Sequence, residues 1–124
     1  AHDNDQKSHY PSNYAGVISV ASSDSKDELS DFSNFGAKTV FIAAPGDHIF
    51  STVLKNEWGT LSGTSMATPQ VSGAIALALS LNSKLKAEEL KAALCSSAAS
   101  SLSDQTECGR LDVAAFLKAL IAKK

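Results

Sequence analysis

Residues 66–81 run through Ala, Leu, Ile and Val with only small polar residues apart from Gln70. This segment limits the fold more than any other. It is apolar on nearly every side, which marks a helix covered from several directions rather than an amphipathic helix lying on a surface. At ~1.5 Å per residue it is about 24 Å long. Such a helix needs partners, and two short upstream runs suit the purpose. Val17-Ile18-Ser19-Val20-Ala21 and Thr39-Val40-Phe41-Ile42-Ala43 are apolar almost throughout, and Pro45-Gly46 ends the second. Strands covered on both faces of a parallel sheet read this way. The expected fold class is α/β, with a parallel sheet, a buried central helix and two further helices.

The rest of the chain fills in around this frame. Residues 1–16 are polar, with Pro11 and Gly16, and read as a loop. Residues 22–33 read as an exposed connection. Residues 49–54 and 58–61 suit a hairpin around Lys55-Asn56-Glu57, although that turn lacks an Asn-Gly pair. Residues 86–94 form an amphipathic helix with Leu90 and Leu94 four apart on one face. Asp112 is placed to cap a third helix over 113–122, whose negative end suits Lys123 and Lys124. No repeat or linker divides the chain, and 124 residues fit one domain.

Composition removes several function classes. A net charge of -2 with scattered basic residues gives no electrostatic case for a nucleic-acid partner. A hydrophobic fraction of 44% is too high for a disordered chain. No apolar stretch reaches the ~20 residues that span a bilayer. The first residues, Ala1-His2-Asp3-Asn4-Asp5, are acidic and have no apolar core, unlike a signal peptide.

The chemistry sits at the start of the apolar helix, in Gly63-Thr64-Ser65-Met66-Ala67-Thr68-Pro69. Gly63 permits a tight backbone just before the helix. Ser65 lies at or near the helix N-terminus. Pro69 cannot donate to the Ser65 carbonyl four residues back. Free N–H groups and the positive end of the dipole therefore surround the Ser65 hydroxyl, an environment that favours a developing oxyanion. Ser65 or Thr64 could equally be a helix cap, a common role for these residue types. Local physics leaves both readings open.

The segment resembles the one around the catalytic serine of subtilisin-like serine proteases, the subtilases. The likeness extends along the chain in family order: Tyr10-Pro11-Ser12-Asn13-Tyr14 through Val20, Phe32-Ser33-Asn34-Phe35-Gly36, Ala44-Pro45-Gly46 with Ile49, Ser51 and Thr52, then Gly59 to Ser65, and finally Gly109-Arg110-Leu111-Asp112-Val113. The resemblance implies a serine endopeptidase in which Ser65 is the nucleophile and forms an acyl-enzyme. Thr64 would hold the oxyanion, together with the Ser65 N–H. Ser62 and Gly63 would border the leaving-group side of the cleft, while His9, Tyr10 and Pro11 would line the primary specificity pocket. A cis Tyr10-Pro11 bond is also implied, a state found in only ~5–6% of X–Pro bonds.

A serine hydroxyl needs a base, and in this family the acid and the base precede the serine. None of His2, His9 and His48 sits in a His-Gly-Thr segment, and no strand ends in Asp-Ser-Gly or Asp-Thr-Gly. The family's oxyanion Asn follows Ala-Gly. Asn4 follows Ala-His-Asp and is not assigned. Residues 1–124 are thus expected to be the C-terminal part of a subtilase catalytic domain, inactive alone, whose His and Asp lie on a preceding segment or chain. That segment and a peptide substrate are the expected partners. The apolar helix, half covered, is expected to leave a patch that favours pairing or self-association. Two other classes stand beside this one: a non-catalytic subtilase-like binding module, and a lipase-like hydrolase. The lipase is disfavoured because Gly-Thr-Ser-Met-Ala does not fit the Gly-x-Ser-x-Gly elbow.

Gln70 stands where the family usually has His. No cofactor is required and no metal ligand is assigned. For the family's structural calcium, Thr39 and Phe41 offer no suitable side chain, and only carbonyls near Ser12, Tyr14 and Val17 remain. Asp24, Asp27, Glu28 and Asp31 read as a solvated acidic loop. Cys95 and Cys108 flank a Ser-rich loop that suits a disulfide worth ~3 kcal/mol, free buried thiols being the alternative. A disulfide points to a secretory or extracellular setting.

Overall fold

The computed structural model describes residues 1–121. The expectations placed on Ala122, Lys123 and Lys124 lie outside those residues. Two short parallel strands, β1 (Val20–Ser23) and β2 (Ile42–Pro45), pair in the register Val20 with Ile42 through Ser23 with Pro45. The 107–111 segment runs along the other side of β2. Cys108 N–H donates to Phe41 O, Ala43 N–H to Gly109 O, and Leu111 N–H to Ala43 O. The chain passes from β1 to β2 by a loop without a helix among the described residues.

Both strands begin three residues later than the sequence suggests. Val17 is still exposed. Thr39 is held in a turn, its hydroxyl donating to Asp5 Oδ1 and the following Val40 N–H to Gly36 O. Pairing starts at Val20 and Ile42, after Ser19, Val40 and Phe41 are already buried.

β3 (Ile49–Val53) and β4 (Glu57–Leu61) form the expected antiparallel hairpin. Glu57 belongs to β4, so the turn is Leu54-Lys55-Asn56. Lys55 and Asn56 both take left-handed φ values of 65° and 59°. Asparagine tolerates that region better than most residues, which lets a turn without glycine close the hairpin.

The helix that follows Gly63 is α1 (Thr64–Leu81), and it packs on β1 and β2. Its buried residues are Ala67, Val71, Ala74 and Ala78, a single stripe at spacings of four, three and four. Here the structure meets the expectation of a half-covered helix. Within this chain α1 is covered along one side only, and Leu77, Leu79 and Leu81 are exposed. Small alanines let the sheet approach closely, while the larger leucines face outward. The second helix, α2 (Ala87–Ser97), runs three residues past the expected end because Ser96 and Ser97 hydroxyls bond back to Ala93 O. The third, α3 (Val113–Ile121), begins with Asp112 Oδ1 accepting from Ala115 N–H at 2.9 Å, the anticipated cap.

Leu90, Leu94, Leu111, Phe116 and Leu120 close the core between α2, α3 and the strands. Cys95 and Cys108 are joined in a disulfide, tying α2 to the 107–111 segment. Gly109 is required there, since any Cβ would meet the Ala99 carbonyl and its φ is 104°. Tyr10-Pro11 is cis.

Candidate active site

Ser65 is the second residue of α1 and is exposed. The first bonds in the helix come from Met66 N–H and Ala67 N–H, both to Gly63 O at 2.9 and 3.3 Å. Thr64 and Ser65 N–H groups precede any helical acceptor and remain available at the positive end of the dipole. Gly63 is the N-cap residue, and no side chain caps the helix. The capping role weighed for Ser65 and Thr64 is therefore not the one they perform. Thr68 Oγ1 donates to Thr64 O, and Gln70 Nε2 donates to Pro45 O at 2.6 Å, fixing the first turns against the end of β2.

Two cavities flank this helix end. The first, about 420 Å³, is lined by Asn4, His9, Pro11, Ser12, Asn34 and Thr64, among others. The second, about 290 Å³, is lined by Ser65, Met66, Pro69 and Gln70 on one side and by the hairpin residues Ile49, Val53 and Leu61 on the other. Tyr10 is outside both linings and stacks on Tyr14, their ring centroids 4.7 Å apart. His9 Nδ1 bonds to Ser12 Oγ at 2.9 Å, which holds the imidazole against the loop.

Asn4 is the residue the sequence did not reveal. It is buried, at 3% exposure, by way of its N–H bond to Phe35 O. Its carbonyl oxygen accepts from Asn13 Nδ2, and its side-chain Oδ1 accepts from Asn34 Nδ2 at 3.1 Å. With Oδ1 engaged, Nδ2 is the end left to donate, in the cavity that Thr64 shares. The preceding His2-Asp3 masks the Ala-Gly signal. A buried polar residue in an otherwise exposed opening loop was the only cue.

Ser62 and Gly63 approach the loop after β2. Gly63 N–H donates to Gly46 O, Ser62 Oγ donates to Asp47 Oδ1 at 2.7 Å, and His48 N–H donates to Ser62 Oγ at 2.8 Å. The Ser62 hydroxyl, with a smaller contribution from His48, holds the Asp47 carboxyl below its usual value of 3.8. Asp5 is likewise lowered, first by the Thr39 hydroxyl and then by the Lys38 N–H.

The acidic loop has work other than metal binding. Asp24 Oδ1 accepts from Lys26 and Glu28 N–H, and Asp27 pairs with Arg110 Nε at 2.6 Å. The residues proposed for a structural cation do not fit one. The cavity beside Ser12, Tyr14 and Val17 is also lined by Lys38 and Lys91, with Glu107 its only carboxylate. Lys91 Nζ lies 5.0 Å above the Phe41 ring. Two ammonium groups repel a hard cation, which needs several oxygen ligands.

An exposed serine thus stands on the first turn of a sheet-packed helix, with N–H donors beside it. The sequence places that arrangement in a known family: the family model of the subtilases matches residues 1–112. The chain belongs to the subtilase family. Subtilisin DY of Bacillus licheniformis is 41% identical over 101 residues, covering 82% of this chain and 36% of that protein. Subtilisin-like protease 2 of Plasmodium falciparum is 46% identical over 83 residues, 65% of this chain and 6% of that one. The solved self-cleaved protease domain of PatA superposes with a TM-score of 0.78 at 32% identity, over 92% of this chain and 45% of that domain. The chain therefore spans less than half the length of these relatives. Subtilase membership supports serine protease function in general.

Proposed function

We propose that Ser65 is the nucleophile of a subtilisin-like serine endopeptidase, attacking the scissile carbonyl to form an acyl-enzyme that water then hydrolyses. The observation that carries this reading is the exposed Ser65 hydroxyl on the first turn of α1, beside N–H groups without helical acceptors. The Ser65 N–H, Thr64 and Asn4 Nδ2 act as oxyanion donors. The cavity of His9 and Pro11 takes the side chain on the acyl side. The cavity between Ser65 and the hairpin faces the departing peptide.

The base and its orienting acid come from outside residues 1–124. His2 and His9 are drawn into the opening loop by bonds to Asn34 and Ser12, and the His48 imidazole is bonded to Asp47. The same segment covers the exposed Leu77, Leu79 and Leu81 on the flanks of α1. The disulfide suits an oxidising, secretory compartment.

The test uses a fluorophosphonate that labels activated serines. In the complete protease Ser65 is expected to be labelled, and Ser65→Ala to abolish both labelling and peptide hydrolysis. Residues 1–124 alone are expected to show no serine-dependent turnover, since the oxyanion donors lack a base. A folded complete protein that resists labelling would instead favour a non-catalytic subtilase-like binding module.

A further inference from the structure

The loop between β2 and β3 grips the strand that leads into Ser65. Three consecutive residues, Gly46, Asp47 and His48, hold two others, Ser62 and Gly63, through one backbone bond and two bonds of the Ser62 hydroxyl. Asp47 Oδ1 also meets His48 Nδ1 at 3.0 Å. The approach is close enough that a Cβ on Gly46 would collide with the Ser22 hydroxyl and the Gly63 carbonyl. His48 takes φ 54°, a left-handed conformation that a non-glycine residue keeps only where its surroundings dictate it.

Ser, His and Asp together invite the thought of a second catalytic centre, and the order of bonds excludes it. The Ser62 hydroxyl donates to the carboxylate and not to the imidazole, and a carboxyl with a lowered pKa is a weak base for a hydroxyl proton. The imidazole meets the same Asp47 Oδ1 that accepts from Ser62, and its side chain is 83% exposed. The cluster orients the backbone; it does not activate the serine.

We infer that Asp47 is a positioning residue for substrate on the hairpin side of Ser65. It locks the Ser62 rotamer, and through Ser62 it fixes the extended backbone of residues 62–63 at the mouth of the cavity lined by Ile49, Leu61 and Ser65. The inference rests on the reading of Ser65 as nucleophile. The position of residues 62–63 sets the fit of the peptide beyond the scissile bond. It does not set the chemistry at Ser65, whose N–H donors belong to α1.

The complete protease is assayed with two substrates that share their acyl part. One is an internally quenched peptide with several residues after the scissile bond; the other ends there in p-nitroanilide. Asp47→Ala is expected to lower kcat/KM for the extended peptide about 10-fold, chiefly through KM, in the range that a misplacement near 1 Å produces. The anilide should change less than about 2-fold, and the phosphonate labelling rate of Ser65 should stay at the wild-type value. Asp47→Asn keeps an acceptor for Ser62 and should restore most of the loss. Ser62→Ala, which removes both loop bonds of that hydroxyl, should lower kcat/KM for the extended peptide at least as much as Asp47→Ala. Equal losses on both substrates, or no loss on either, would overturn the role of Asp47. A wild-type protein that fails to label would overturn the Ser65 reading and this inference with it, a result distinct from the other two.

Discussion

The two ends of α1 teach opposite lessons. Around its middle and far end, α2, α3 and the 107–111 segment enclose Leu90, Leu94, Phe116 and Leu120, and a disulfide crosses the unit. Around its beginning, the hairpin stands out with Phe50 and Trp58 stacked 5.6 Å apart and both about two-thirds exposed. Stability is concentrated in one region and chemistry in the other. The closed region supplies a rigid base on which α1 cannot shift. The open region leaves its N–H donors, Ser65 and its apolar rim uncovered, as the proposed cleft requires.

Each region can be broken without the other. The largest effect is expected at the open end. Asn4→Ala in the complete protease should cut kcat/KM by about 100- to 1,000-fold, the size known for an oxyanion donor in subtilisin itself. Stability should fall by only about 1 kcal/mol in a urea titration, the loss expected from the single bond between Asn34 Nδ2 and Asn4 Oδ1. A matching fall in stability would instead make Asn4 a structural residue. At the closed end, replacing both Cys95 and Cys108 by Ala should cost about 3 kcal/mol in a urea titration, the loop-entropy value for a separation of 13 residues. Labelling of Ser65 should then proceed at an unchanged rate wherever the variant remains folded. A slower rate would show that the two regions are coupled.

The smallest effect concerns acid. Asp5 and Asp47 have lowered pKa values in the folded chain. Their contribution is present above the usual 3.8 and is lost as pH falls through the lower folded value. Asp5→Asn should therefore lower stability slightly at neutral pH and flatten its decline below pH 3.8, the two proteins converging in acid, as read by circular dichroism. Asp5 is exposed, so the change should be modest.

How legible the molecule was depends on whether a signal is local. The start of α1 could be read because Gly63, Ser65 and Pro69 each have one backbone consequence, and all point to a helix end. The Asp112 cap and the Cys95–Cys108 bond were legible for the same reason. The partial cover of α1 was legible too, because an apolar sequence states what a helix needs, and half a domain supplies only part of it. The starts of β1 and β2 were misplaced because Thr39 and Val40 have strand propensity, yet bonds to Asp5 and Gly36 draw them into a turn. Those partners lie on loops whose positions no local pattern encodes. The burial of Asn4 was not legible either, since it depends on Asn34 and Phe35, some thirty residues away.

Gly46 carries no side chain, contacts no substrate and would draw little notice in a survey of reactive groups. Yet the space it leaves empty is what allows the strand before Ser65 to lie against the sheet. In a library randomised along the chain, position 46 should rank with the nucleophile among the columns that accept nothing else, for want of a single carbon's width.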